Sequence, residues 1–173
     1  MEKTIFSEKQ TQLVQCINQR KHIYQVLWDE QPVATDDDER EGENEQQYSY
    51  QQALFSFPPT AEHIKATVLN GINAKTDARI LTEFKWDGKP VWLSSENQFN
   101  FKAAYDLALQ TQGETLPVTF KLSETQNGEP VYHTFNDMEE LTQFYASAIA
   151  HIQQCLTEGW TEKDSIDWSK YQY

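Results

Sequence analysis

The chain has 173 residues, of which 38% are apolar and 13% aromatic, and it carries a net charge of −13. That length supports one sizeable core, or a main domain with a small extension, and the aromatic share argues against a disordered chain. No excess of cations exists to displace counterions, which argues against non-specific nucleic-acid binding. Cys16 and Cys155 lie in different segments and are too few for a disulfide framework, so a reducing compartment is expected. The opening residues MEKTIFSEKQTQ hold no apolar core for a signal peptide, and no run approaches the ~18 apolar residues of a membrane span. The expectation is a soluble protein that is not exported by the general route, with no membrane partner.

In chain order, Ile5 and Phe6, then Leu13, Val14 and Ile17 at helical spacing, predict a short helix or arm over residues 1–19. The run His22 to Trp28 is rich in β-branched and aromatic residues and reads as a strand, paired with a second over Tyr48 to Phe57. Between them the segment 29–45 holds nine carboxylates against Arg40, a net charge of −8. Asp36 and Asp38 invite a calcium reading, but Arg40 stands where a ligand oxygen is needed and Glu41 where the turn needs Gly. A mobile, solvated acidic loop is the expectation, one that sets solubility or repels DNA.

Pro58-Pro59 ends the strand, Thr60 caps a helix and Glu62 supports its first turn. Ile64, Val68 and Ile72 line one face, with Leu69 beside them. Gly71 predicts a bend or break at Asn70–Gly71, with a second helical piece over Thr76 to Leu81. Asp87-Gly88 is a two-residue hairpin signal, since both central residues of a type I′ turn need positive φ. Setting Trp86 opposite Lys89 places Phe84, Trp86, Val91 and Leu93 on the core face and turns Trp92 outward. An outward Trp is either covered by another segment or offered to a partner.

Ser95, with Gln98 three residues on, has the spacing of a capping box. Phe101, Ala104, Tyr105 and Ala108 form the inner stripe of the helix that follows, and Gly113 stops it. The trio Glu96, Asn97 and Gln98 resembles a sugar- or base-reading cluster, and helix initiation explains it as well. Val118, Phe120 and Leu122 alternate before a second hairpin turn at Gln126-Asn127-Gly128-Glu129. A two-residue register there pairs Phe120 with Phe135 and Leu122 with His133, which reads as a hydrogen-bonded core histidine.

Asn136, with Glu139 three residues on, opens the last long helix. Its stripe is Leu141, Phe144, Tyr145, Ala148, Ile149, Ile152 and Leu156, and Gly159 ends it. His151 and Cys155 are four apart and could share a metal, but two ligands do not make a site, and Cys155 reads as packing. The tail carries Trp160, Ile166, Trp168, Tyr171 and Tyr173 among charges. So aromatic an end is expected to dock onto its own fold or onto a neighbouring subunit.

These elements predict an α+β fold: short antiparallel β-hairpins packed with two or three amphipathic helices, the C-terminal one long. Residues 1–57 form an N-terminal arm and hairpin, and residues 58–173 the main domain. There is no Gly-rich phosphate loop, no G-x-S-x-G, no H-E-x-x-H and no CxxC in the sequence. Nothing selects one carboxylate pair for glycoside hydrolysis, and the four histidines stand in no suggestive context. The expectation is a non-enzyme without catalytic, cofactor or metal residues. Trp92, Trp160, Trp168, Tyr171 and Tyr173 are the candidate partner-docking residues.

The run Phe84 to Gln110, FKWDGKPVWLSSENQFNFKAAYDLALQ, joins an aromatic, W-x-G, an apolar strand and S-x-E-N-Q-x-N. It resembles an uncharacterised domain attached to bacteriophage tail-fibre and tail-assembly proteins. The matching pieces are Ile80 to Phe84, Trp86 to Gly88, Glu96 to Gln98, Leu116 to Phe120 and His151-Ile152-Gln153. The runs SSENQFNFKAAYDLA, LPVTFKL and GWTEKDSIDW are similar to proteins of phages that infect gut Bacteroides-type bacteria. The resemblance spans about residues 46–170 and carries over no catalytic or ligand residue.

It implies a virion component at the tail, fibre or head–fibre junction, made in the host cytoplasm. Its partners would be other phage structural proteins, with self-association. The alternatives are an assembly chaperone absent from the mature particle, and a carbohydrate-binding accessory protein using Trp86, Trp92 and Glu96.

Overall fold

In the N-terminal segment the apolar residues alternate or cluster along short runs, and four of these runs pair. A computed structural model describes residues 2–33 and 46–172. Tyr173, most of the acidic loop, and with it the calcium reading at Asp36, Asp38, Arg40 and Glu41, lie outside the described residues. The strands are β1 (Glu2–Phe6), β2 (Val14–Asn18), β3 (Ile23–Pro32) and β4 (Tyr48–Phe55). They form one antiparallel sheet in the order β1-β4-β3-β2.

The expected helix or arm over residues 1–19 is therefore two edge strands. Glu2–Phe6 pairs along β4 and Val14–Asn18 along β3, and these long-range ladders override the local helical spacing. The predicted pairing of the second and third apolar runs is present as β3 against β4. Its ladder shifts between Trp28 and Gln31, where Asp29 takes φ +55°.

The chain forms two compact units, Met1–Asn73 with Glu162–Tyr173, and Ala74–Thr161. In the first, Val14, Val26 and Trp28 of the sheet bury against Ile64, Val68 and Ile72 of helix α1 (Ala61–Thr82), with Tyr171 from the C-terminal end. The Thr60 hydroxyl accepts from the His63 backbone at the helix start, as the capping reading requires. The helix is not broken at Gly71 but continues from Ala61 to Thr82. That glycine is a point of close approach: a Cβ there would lie 2.3 Å from Trp28 Nε1. Thr76 to Leu81 is the last part of the same helix.

The second unit holds the end of α1, hairpin β5–β6 (Lys85–Trp86, Lys89–Pro90), helix α2 (Ser95–Gln110), hairpin β7–β8 (Val118–Glu124, Pro130–Phe135) and helix α3 (Met138–Asp164). Trp86 pairs with Lys89 as predicted, with Asp87 at φ 49° and Gly88 at φ 72°. The second hairpin departs from its expected register. Phe120 lies opposite His133, and Phe135 opposite Val118. The loop is longer than two residues: Gly128 N donates to Thr125 O, Thr125 N to Glu129 O, and Gly128 alone of the turn takes positive φ. A further shift falls between Lys121 and Ser123. Phe120, Leu122 and Phe135 are nevertheless all buried in one core.

Phe144 of α3 is the hub of that core. Its ring meets Phe84, Trp86, Phe101, Phe120 and Phe135 at centroid distances between 4.8 and 6.2 Å. The helix itself departs from its predicted ends and stripe. The Asp137 side chain, not Asn136, accepts from Glu140 N at the N-terminus. Gly159 does not end it, for the helix runs to Asp164 and Gly159 is buried against Thr76. Ile149 is exposed, and Cys155 takes the buried position instead.

Candidate docking surface

Helix α2 is capped by Ser94, one residue before the expected cap. The Ser94 hydroxyl accepts from Asn97 N at 3.2 Å, and the side chains of Asn97 and Gln98 donate back to the carbonyls of Trp92 and Leu93. The polar trio thus has two members in the helix start, while Glu96 stays exposed in the first turn. At the far end Gly113 N donates to Ala108 O and Gln112 N to Leu109 O, with both residues at positive φ. That is a Schellman stop with Gln112, not Gly113, in the first left-handed position.

The capped helix buries Phe101 and Ala108, with Ala104 and Tyr105 half-buried beside them, and Tyr105 stacks on Tyr145 at 4.8 Å. At 3.6 residues per turn the opposite side carries Glu96, Phe99, Ala103, Leu107 and Gln110. All five are exposed, Phe99 by 72% and Leu107 by 50%. Beside this row Lys102 and Asp106 form an ion pair at 2.5 Å, which raises the Lys102 ammonium above its ordinary value. Sequence reading missed the outer row, although the i, i+4, i+8 spacing of Phe99, Ala103 and Leu107 was its signal.

The predicted docking residues separate into two groups. Trp92 is 39% exposed, its backbone held between Leu122 O and the Asn97 amide, and Trp160 is 53% exposed on α3. Tyr171 is buried in the first unit's core, where burial pushes its phenol up to about 12. Trp168 is half-buried 5.4 Å from it, and the segment is tied down by Leu13 N donating to Lys170 O. Of the two alternatives for the tail, Trp168 and Tyr171 dock onto their own fold. Together with Ala61, Ile64, Lys65 and Gln172 they line a cleft of about 290 Å³. Trp86 is turned inward against Phe135 and Phe144, so Trp86, Trp92 and Glu96 do not form one exposed platform.

The titratable clusters of the second unit each have a structural partner. His133 Nε2 lies 2.8 Å from Glu140 Oε1, and Nδ1 lies 3.3 Å from Lys89 Nζ. A carboxylate only accepts and an ammonium only donates, so a proton on Nε2 satisfies Glu140 and Lys89, while the Trp86 indole N–H, 3.4 Å from the same Nε2, is then denied it as an acceptor. Arg79 bridges Glu83 and Glu158, which raises its guanidinium; Glu158, hydrogen-bonded by Gln154 and then Arg79, is lowered. His151 Nε2 faces the Arg79 carbonyl at 3.2 Å and must carry the proton there. It therefore cannot take one from Cys155 Sγ, 3.6 Å away, and burial pushes the Cys155 thiol up. Among the described residues no three His, Cys, Asp or Glu side chains are placed to hold a metal.

The fold and this surface define a two-unit α+β protein that keeps large apolar side chains outward on α2, α3 and the segment between β6 and α2. The profile of a domain of unknown function, DUF4376, matches residues 63–172, and the chain belongs to that family. No curated protein and no solved structure matches the chain.

Proposed function

We propose that this chain is a non-enzymatic docking component of a bacteriophage particle, located at the tail, fibre or head–fibre junction of the virion. One observation carries the docking part of this reading. The second unit exposes Trp92, Phe99, Leu107 and Trp160, while its histidine, cysteine and arginine clusters are taken up by bonds inside the fold. Large apolar side chains held outward on capped, well-packed elements are characteristic of surfaces that meet another protein. The resemblance of Phe84 to Gln110 to phage tail and fibre modules supplies the setting. The net charge of −13 supports partners that are proteins and not nucleic acid.

Mass spectrometry of purified mature particles tests the reading, and absence of the chain from them contradicts it. If it is absent there but raises the solubility of a co-expressed fibre subunit, it is an assembly chaperone instead.

A further inference from the structure

We propose that two copies of this chain pair through the outer row of α2, antiparallel across a two-fold axis at Ala103. This deepens the docking reading and rests on it. The row reads polar, large apolar, small, large apolar, polar: Glu96, Phe99, Ala103, Leu107, Gln110, all exposed. Glu96 and Gln110 are each seven residues from Ala103, and Phe99 and Leu107 are each four, so the row reversed has the same character. A two-fold interface needs such self-complementarity, because the same patch serves on both sides.

With Ala103 on the axis, Phe99 of one copy packs on Leu107 of the other. The Gln110 amide of one copy donates to the Glu96 carboxylate of the other. The small central residue lets the helices approach closely. Charge selects the direction. In the antiparallel arrangement Lys102 of one copy comes within two residues, about 3 Å along the axis, of Asp106 of the other. The two internal Lys102–Asp106 pairs, one in each copy, can thus be exchanged for two pairs between copies. A parallel arrangement would oppose Glu96 to Glu96 and set the Lys102–Asp106 flanks of the two copies on opposite sides of the interface, out of each other's reach. The helix is 16 residues, about 24 Å long, so the covered area is below the ~1,000 Å² of a permanent interface. Pairing is accordingly weak, with a dissociation constant on the order of 100 μM, and strengthened when copies are arrayed on a larger assembly.

Sedimentation equilibrium of the full chain, with disulfide trapping in a Cys16→Ser background, tests this. The expected result is a concentration-dependent dimer that Phe99→Asp and Leu107→Lys each weaken at least tenfold, at unchanged helix content. Ala103→Cys is expected to form an intermolecular disulfide under mild oxidation. Glu96→Cys is not, because its two copies lie about 21 Å apart in the antiparallel arrangement. A chain that stays monomeric, a dimer indifferent to both substitutions, or equal trapping at residue 96 overturns the proposal. A monomeric chain still present in mature particles overturns only the pairing; a dimer through α2 that is absent from particles overturns only the virion reading.

Discussion

Gly71 of α1 lies directly under the indole of Trp28 on β3. A Cβ at residue 71 would come to 2.3 Å from Trp28 Nε1 and 2.6 Å from Cε2. By helix propensity alone, Gly71→Ala would stabilise the protein by about 1 kcal/mol. The close approach reverses that sign. A net loss of about 1–2 kcal/mol is expected, since Trp28 is buried and its ring must shift. Urea unfolding measures it, and in a Trp28→Leu background the same substitution should become neutral or stabilising. A stabilising Gly71→Ala in the natural background contradicts the packing described.

Ser94 and Ser95 give a second test, because the cap lies one residue from where the sequence pattern set it. Ser94→Ala removes the acceptor of Asn97 N and should cost about 1 kcal/mol. Ser95→Ala should change stability by less than about 0.5 kcal/mol, being exposed in the first turn. Equal losses on thermal or urea unfolding would contradict the assignment of Ser94 as the cap.

Much of the fold was legible where the signal is local. Asp87-Gly88 set its hairpin register correctly because both turn residues must adopt positive φ, a requirement contained in two adjacent side chains. Asn127-Gly128 is a turn pair of the same kind, set in a longer loop. Only Gly128 takes positive φ there, and the bulge near Leu122 leaves no mark in composition. The strands β1 and β2 were hidden because their ladders lie far along the chain, on β4 and β3. Gly71 and Gly159 looked like breakers because a sequence shows a missing side chain but not the Trp28 or Thr76 that requires it missing. On α2 helical spacing places Phe101 and Ala108 inside, as observed, but the same spacing at Phe99, Ala103 and Leu107 makes the outer face apolar as well, and nothing local marks that second row as exposed.

Tyr171 makes its own contribution to the alkaline dependence of stability, beside those of Cys155 and Tyr50, whose thiol and phenol are also pushed up by burial. Burial raises its phenol from an ordinary value near 10 to about 12. A raised folded-state value means that the Tyr171 contribution to stability is level below pH 10. It then falls as pH climbs from 10 through about 12, because the unfolded chain releases its proton first. The loss should reach about 2–3 kcal/mol by pH 12. Tyr171→Phe keeps the ring and should flatten that part of the profile. Urea midpoints across this range that fall equally in both proteins would contradict the burial of the hydroxyl.

Ser123 sits at the β7 shift, almost wholly buried, and its hydroxyl is without a hydrogen-bond partner among the described residues. An unsatisfied buried hydroxyl costs about 1–3 kcal/mol. Ser123→Ala should therefore raise the urea midpoint, by about 1 kcal/mol in stability. A destabilised alanine variant would show that the hydroxyl has a partner.

The proposed role has this chain built into a phage particle by docking through apolar side chains held outward on its second unit. The most direct measurement is its copy number in purified mature particles, by quantitative mass spectrometry, for the natural chain and for Trp92→Ala at matched expression. The expected result is the natural chain at a fixed ratio to tail or fibre subunits, with Trp92→Ala, still folded, reduced severalfold. Particles that lack the natural chain would contradict the claim.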